Sequence, residues 1–310
     1  MPDVRWLAAL FLRFSVFAVY AAVVFGQLSA ARTEARKLLD AGKPYLARAK
    51  LKAAIELQRK QQTQEVADLL SDLADVYSRL DKEAEALAAL EEAAETVAVL
   101  HGHGDSRYGL ALDKLAGAHM QAGEHGKAYE LYQELLDAMR RNLGTAHPGY
   151  QFMLSKLAQA AAAADKQHAA AEAFGELLEM ANPSRAAEDV ASVRVQYSIA
   201  LAKMGKLEKA LKQAILAEQE YAASEGAGSL QHAASINGVA GVLEKIGRDD
   251  EAVAAMSRAH ELVQALDHAQ PDKEERLRQA KRNLDGLKEH IRRKREVDKR
   301  RAAERRKQEL

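Results

Sequence analysis

The chain has 310 residues and no cysteine, which excludes disulfide frameworks, thiolate nucleophiles and cysteine-ligated zinc or iron–sulfur sites within it. With five prolines and much Ala, Leu, Glu, Lys and Gln, the composition favours helices with short connections and predicts an all-α fold. The formal net charge is zero, but Asp272–Leu310 carries 16 Lys and Arg against 9 Asp and Glu, so this tail is +7 and the remainder −7.

The N-terminal segment, residues 1–31, is predicted to be a signal peptide or a membrane anchor. It is almost wholly apolar from Trp6 to Gly26, and the uninterrupted stretch from Phe14 to Phe25 has 12 residues, the length of a signal-peptide core. Small residues follow, so we expect cleavage near Gly26 or near Ala31.

Two other interpretations of this segment stay open. Counted from Trp6 to Gly26, it is long enough to cross a bilayer and to associate the protein with a membrane, with Arg13 costing about 2.5–3.5 kcal/mol at mid-depth. Arg5 and Arg13 also fit a mitochondrial presequence.

A repeat of about 42 residues follows the N-terminal segment. Leu73, Ala74, Tyr77 and Asp81 recur 42 residues later as Leu115, Ala116, His119 and Gly123, and the frame returns three more times after a truncated first copy. A fixed period of this length predicts a solenoid of stacked helix pairs, here one partial and five full repeats over 32–266.

The repeat has a physical rationale at each of its fixed positions. Small residues in both helices allow the pair to approach closely, and glycine or aspartate between them suits a left-handed turn. The small residues of the first helix are Ala35, Ala74, Ala116, Ala158, Ser198 and Ala240, and those of the second are Ala47, Ala86, Ala128, Ala170, Ala210 and Ala252. The predicted turn residues are Gly42, Asp81, Gly123, Asp165, Gly205 and Gly247.

This pattern resembles the tetratricopeptide repeat (TPR) family over Arg32 to Leu266. The long period and the connector Leu143-Gly144-Thr145-Ala146-His147-Pro148 are similar to the repeats of kinesin light chain. The resemblance implies a right-handed α-solenoid of antiparallel helix pairs, the TPR superhelix.

The C-terminal region, residues 267–310, breaks the repeat. An apolar seam is predicted to lie against the last repeat as a capping helix, and it consists of Leu277, Ala280, Leu284, Leu287 and Ile291. The basic run beyond it is interpreted as a solvated helix, and binding of nucleic acid or an anionic membrane is the alternative. Nucleic acid is disfavoured because the run contains no aromatic residue for base stacking.

The last four residues resemble the KDEL-type retention signals of the endoplasmic reticulum, with one departure, glutamine for aspartate. They are Lys307, Gln308, Glu309 and Leu310. Together with the N-terminal segment they predict the endoplasmic reticulum, in the lumen if that segment is cleaved and in the membrane if it is not. The mitochondrial inner membrane is the alternative.

No catalytic motif with a specific spacing occurs in the chain, so we predict a protein without enzymatic activity or a cofactor. His101, His103 and Asp105 are competent metal ligands, but they are interpreted as solvated loop residues and no metal site is predicted.

The TPR resemblance implies a protein or peptide client in the groove lined by the first helix of each repeat. The groove residues carried over from the family are Leu110, Asp113, Met120, Gln121, Phe152, Ser155, Gln159, Val195, Ile199 and Lys203. The alternative for Phe152 and Ile199 is that they belong to the core.

The TPR proteins that clamp acidic chaperone tails use lysine and asparagine at groove positions that here hold Asp75, Gly117, Gln159, Ile199 and Gly241. That mechanism is therefore disfavoured. The remaining prediction is an adaptor or assembly scaffold of an organelle. A mitochondrial respiratory-complex assembly factor, whose long repeats this layout resembles, is a second alternative.

Overall fold

The computed structural model of the protein describes residues 26–58, 63–180, 187–224, 229–266 and 273–308. Within these ranges the chain forms thirteen helices and no strand. They are α1 (26–40), α2 (Pro44–Gln58), α3 (Gln64–Ser78), α4 (Glu83–His101), α5 (Ser106–Gln121), α6 (His125–Asn142), α7 (Pro148–Ala163), α8 (Gln167–Glu179), α9 (Ala187–Lys203), α10 (Leu207–Ser224), α11 (Leu230–Ile246), α12 (Asp249–Ala265) and α13 (Lys273–Gln308). The predicted all-α solenoid is confirmed.

The helices form two compact units, Met1–Met153 and Leu154–Leu310. In the first unit, each helix from α2 to α5 packs against the next one along the chain. In the second unit, the helices from α8 to α13 are arranged in the same way, and α9 also contacts α11. Each unit therefore builds its core from short-range helix pairs, as a repeat protein does.

The predicted N-terminal signal or anchor lies outside the described residues as far as residue 25. Residues 26–40 are helical, and Leu28 and Ala31 are buried in the core of the first unit. No helix in the described part of the chain is both long and apolar enough to cross a membrane.

The small residues predicted to lie between paired helices are all buried. Their exposed fractions are at most 3%, in both the first and the second helix of every repeat. In the fourth full repeat, the hydroxyl of Ser198 also donates a hydrogen bond of 2.8 Å to the backbone carbonyl oxygen of Ala210 on the paired helix. The close approach inferred from the sequence is therefore present in each pair.

The predicted turn residues all have a left-handed backbone. Their φ angles lie between 55° at Asp81 and 91° at Gly247. The backbone N–H one residue later donates to the carbonyl oxygen five residues before it, as in Lys82 to Tyr77 at 3.0 Å and Glu124 to His119 at 2.9 Å. This bond satisfies one of the carbonyl groups left open at the end of a helix, as in a Schellman motif.

Helix α13 packs against α12, which confirms the predicted capping helix. Its seam residues Ala280, Leu284, Leu287 and Ile291 are buried. Immediately after the seam, Lys294 forms an ion pair of 3.0 Å with Asp249, and Arg295 forms one of 2.7 Å with Asp250. Both carboxylates belong to the first turn of α12, so these ion pairs connect α13 to the N-terminal end of that helix.

Candidate functional site

The first candidate site is a pocket in the first unit, which we call the α5–α7 pocket. It has a volume of about 480 Å³ and lies among the first half of α5, the last part of α6 and the start of α7. Most of its lining is apolar, and the lining residues include His103, Asp105, Tyr108, Gly109, Leu110, Asp113, Glu134, Met139, Leu143, His147, Gly149, Phe152 and Met153. Its volume falls within the roughly 300–1,000 Å³ typical of ligand sites.

Two glycines help to form this pocket. A Cβ atom placed on Gly109 would lie 3.1 Å from the Cδ1 of Leu135. One placed on Gly149 would lie 3.2 Å from the Cε of Met139 and 3.1 Å from the Nδ1 of His147. Larger residues at these two positions would therefore crowd the wall of the pocket.

Acidic groups lie on the rim of the α5–α7 pocket. The hydroxyl of Tyr108 donates a hydrogen bond of 3.2 Å to Glu134, and the Nδ1 of His103 lies 4.0 Å from the same carboxylate. Burial, followed by the negative charge of Glu134, raises the pKa of Tyr108 to about 12. Tyr108 therefore stays neutral at physiological pH and acts as a hydrogen-bond donor to Glu134.

Asp105 caps the start of α5 and is balanced by a nearby cation. Its carboxylate accepts a hydrogen bond of 2.8 Å from the backbone N–H of Arg107 and two more from the guanidinium, at 2.9 and 2.8 Å. These bonds, led by the guanidinium, hold the pKa of Asp105 well below its usual range. Asp105 therefore stays ionised, and the positive charge of Arg107 offsets its negative charge at the rim.

The structure brings three of the predicted groove residues together at the α5–α7 pocket, namely Leu110, Asp113 and Phe152. Leu110 is 65% exposed and Phe152 is 58% exposed, so the alternative that Phe152 is a core residue is wrong. Met120 and Gln121 belong to the end of α5 and do not line this pocket.

The second unit contains the other predicted groove residues. Ser155 and Gln159 of α7 line a pocket of about 570 Å³ together with Ile199 and Lys203 of α9. Val195 lines an adjoining pocket of about 230 Å³ between α9 and α11, which Ile199 and Lys203 also border. Because Ile199 is 46% exposed, the alternative that places it in the core is wrong as well.

The polar groups of the second unit differ in charge from those of the first. Lys203 forms an ion pair of 3.4 Å with Asp165, the turn residue of the preceding repeat. Hydrogen bonds from Gln167 and then from Lys203 lower the pKa of Asp165. The described residues that line these two pockets include lysines, glutamines and serines but no Asp or Glu.

Helix α6 and two connectors also contribute to the α5–α7 pocket, and the repeat pattern did not predict their contribution. Met139 comes from α6, Leu143 and His147 come from the connector after it, and His103 comes from the preceding connector. A signal was available, because the two connectors occupy equivalent positions one repeat apart and both contain a glycine with positive φ, Gly102 and Gly144.

The remaining candidate residues have other structural roles. His101 shares a hydrogen bond of 3.0 Å with Gln64, and the described part of the chain contains no group of three or more His, Cys, Asp or Glu side chains that could hold a metal ion.

Helix α13 ends at Gln308, and Glu309 and Leu310 lie outside the described residues, so the retention-like C-terminus stays a prediction.

Comparison with known sequences finds two relatives, and no protein-family model matches the chain. Secreted RxLR effector protein RXLR-C07 of Plasmopara halstedii is 25% identical over 202 residues, which cover 64% of this chain and 62% of that protein. RxLR effector protein SFI4 of Phytophthora infestans (strain T30-4) is 25% identical over 199 residues, which cover 64% of this chain and 59% of that protein. The chain thus spans about three-fifths of the length of these relatives.

Solved structures share the fold more broadly. A Podosopora anserina protein with kinesin-light-chain-type, nearly identical TPR-like repeats matches 63% of this chain and 95% of its own, with a TM-score of 0.53 and 18% identity. A TPR protein from Parabacteroides merdae matches 82% of this chain and 99% of its own, with a TM-score of 0.53 and 16% identity. The TPR sensor-containing STAND ATPase PH0952 from Pyrococcus horikoshii matches 76% of this chain and 36% of its own, with a TM-score of 0.59 and 17% identity. The chain therefore has the fold of tetratricopeptide-repeat solenoids, including those of the kinesin-light-chain type.

Proposed function

We propose that the protein is a non-enzymatic interaction scaffold that holds a segment of a client protein against the predicted groove residues. The observation that carries this proposal is the exposure of large apolar side chains at those positions, Leu110, Phe152 and Ile199, each of them on the wall of a pocket. Exposed apolar side chains beside polar groups are typical of protein interaction sites. The TPR fold supports the same coarse function.

The proposed location is the secretory pathway. The apolar N-terminal segment and the retention-like C-terminus support it, and one of the two relatives bears the name of a secreted protein. On this proposal the N-terminal segment directs entry and the solenoid acts in the endoplasmic reticulum, and mitochondrial import is the alternative. Mass spectrometry of the mature N-terminus, with microscopy of a protein whose two ends are native, separates the two locations.

The test of the scaffold function is quantitative capture of clients by the full chain and by matched variants. The groove variants are Leu110→Asp with Phe152→Asp in the first unit, and Ile199→Asp with Lys203→Glu in the second. The control is Leu57→Asp with Val99→Asp, because these side chains are 73% and 63% exposed and line none of the three pockets described above. A true client is retained by the wild type and by the control and is lost with at least one groove variant. Equal recovery with all the variants contradicts the proposal.

A second candidate function is attachment to an anionic membrane through the end of α13. The helix continues for about three turns beyond Arg295, the last residue of α13 with a described ion pair to α12, and Lys299, Arg300 and Arg301 are exposed there. Basic residues near an anionic leaflet contribute about 1 kcal/mol each. This segment is distinct from the capping seam.

Vesicle co-sedimentation tests the second candidate. We expect the full chain to bind phosphatidylcholine vesicles more strongly when they contain phosphatidylserine, and that difference to become smaller when Lys299, Arg300 and Arg301 are changed to Gln. The N-terminal segment is the same in both proteins, so any association that it causes does not depend on these three residues. Unchanged binding by the triple variant contradicts this function, and salt-dependent binding of DNA instead of vesicles assigns the segment to nucleic acid.

A further inference from the structure

We infer that the α5–α7 pocket takes a large apolar side chain of a client segment that has Lys or Arg beside it. This inference rests on the proposed scaffold function and names the chemistry of the ligand. Three observations support it, namely the apolar interior of the pocket, the acidic groups on its rim and the different charge of the second unit.

The interior of the pocket suits a large apolar side chain. Leu110 and Phe152 approach it from α5 and α7, and Leu143, which is 55% exposed, approaches it from the connector after α6. Met139 and Met153 add flexible thioether side chains that adapt to ligands of different shape. Burying such a residue removes apolar surface of both partners from water, which is the usual source of affinity at the centre of an interface.

The rim sets the charge of the flanking residues. The Glu134 carboxylate is half-exposed beside Tyr108, and Asp113 also lines the pocket. Asp105 is already balanced by Arg107. A neighbouring Lys or Arg of the client is therefore attracted to the rim, whereas Asp or Glu is repelled.

The second unit provides an internal comparison. Lys245 and Lys203, the latter paired with Asp165, border its pockets, and the described lining residues of these pockets include no carboxylate. A segment selected by that surface would have acidic or neutral flanking residues. The charge of the flanking residues therefore distinguishes the two surfaces in one experiment.

The experiment is selection from a phage-displayed library of random peptides against the full-length chain. We expect the selected peptides to share Phe, Trp, Leu or Met with Lys or Arg within a few positions. Synthetic copies should bind at least about ten-fold more weakly to the Leu110→Asp, Phe152→Asp variant, which removes the apolar wall. The Glu134→Lys variant should bind peptides with basic flanking residues a few-fold more weakly, relative to peptides with acidic ones, than the wild type does, as expected for an exposed charge. Thermal unfolding of each variant verifies that it folds.

Three results would overturn this inference. Selected peptides with acidic flanking residues that lose affinity for the Leu110→Asp, Phe152→Asp variant contradict it directly. Peptides that lose affinity only for the Ile199→Asp, Lys203→Glu variant move the site to the second unit, and the scaffold function then stands while this inference fails. If no selected peptide binds the wild type more strongly than it binds the Leu110→Asp, Phe152→Asp variant, the pocket does not take such a segment. The client-capture experiment then decides independently whether the protein is a scaffold.

Discussion

The Ser198 hydroxyl and the Ala210 carbonyl oxygen join the two helices of one repeat through a buried hydrogen bond of 2.8 Å. Every equivalent first-helix position holds alanine, so this repeat adds a polar link where the others have only close packing. We expect Ser198→Ala to lower the free energy of unfolding by about 1 kcal/mol, because it loses one hydrogen bond while Ala210 keeps its helical bond. Ser198→Leu should cost about 1–3 kcal/mol by overpacking. Urea denaturation measures both, and a Ser198→Leu variant as stable as the wild type would contradict the packing assigned to this position.

The left-handed turns give a second prediction. Gly123 has φ of 75°, and a Cβ atom placed on it would meet no other atom within 4 Å, so Gly123→Ala introduces backbone strain without a clash. It should destabilise the protein by about 1–2 kcal/mol. Gly126, in the first turn of α6, is the matched control, because its Cβ would also meet nothing and its backbone is not left-handed. Gly126→Ala should be neutral or stabilising by up to about 1 kcal/mol. Equal effects of the two substitutions in denaturant titrations would refute the role of the turn.

The contacts of helix α1 predict how far the N-terminus can be truncated before the protein loses stability. Leu28 and Ala31 are buried in the core of the first unit, and Arg32 follows with ion pairs of 2.6 Å to Asp68 and Asp72. A chain that starts at Gly26 should keep these contacts, whereas one that starts at Arg32 should lose about 2–3 kcal/mol from the buried leucine and alanine. Thermal unfolding of the two chains measures the difference. Of the two predicted cleavage positions, the one near Gly26 is compatible with an intact core. Identical stability of the two chains would contradict a contribution of Leu28 and Ala31 to the core and would leave both cleavage positions compatible with the fold.

The Lys203–Asp165 ion pair predicts a specific titration. Hydrogen bonds from Gln167 and then from Lys203, with the positive charge of Lys203, lower the pKa of Asp165, so Gln167→Ala and Lys203→Met should each raise that pKa. Since the pKa is lower in the folded chain, the stabilisation is present above the ordinary aspartate pKa and is lost as the pH falls through the folded value. An NMR titration of the Asp165 carboxyl carbon measures the change. No change of this pKa in Lys203→Met would mean that the ion pair does not form in solution.

The sequence predicted the repeat frame in detail because each fixed position depends on local physical chemistry. The left-handed backbone of Asp81 and Asp165 could be predicted from equivalent glycines, and the burial of Ala128 and Ala170 from the need for close helix contact. The seam of α13 followed from its helical spacing in the same way.

The α5–α7 pocket could be predicted only in part. Leu110 and Phe152 were implied by the TPR resemblance, and they occupy equivalent positions of two first helices, 42 residues apart. Met139 and His147 could not be assigned to it, because their placement depends on how α6 ends and how the next connector turns. The missing side chains of Gly109 and Gly149 matter only in three dimensions, where neighbouring atoms approach them closely.

Site-specific photocrosslinking tests the central claim, client binding at the groove, most directly. The photoreactive residue p-benzoylphenylalanine replaces Phe152 in one protein and Leu57, an exposed residue away from the described pockets, in another. Both proteins are irradiated in a cell extract of the organism that naturally produces the protein, and their crosslinked partners are identified by mass spectrometry. We predict that position 152 captures a client that position 57 does not, and that Leu110→Asp abolishes this crosslink. Identical crosslinked partners at both positions, or none at position 152, would contradict the account.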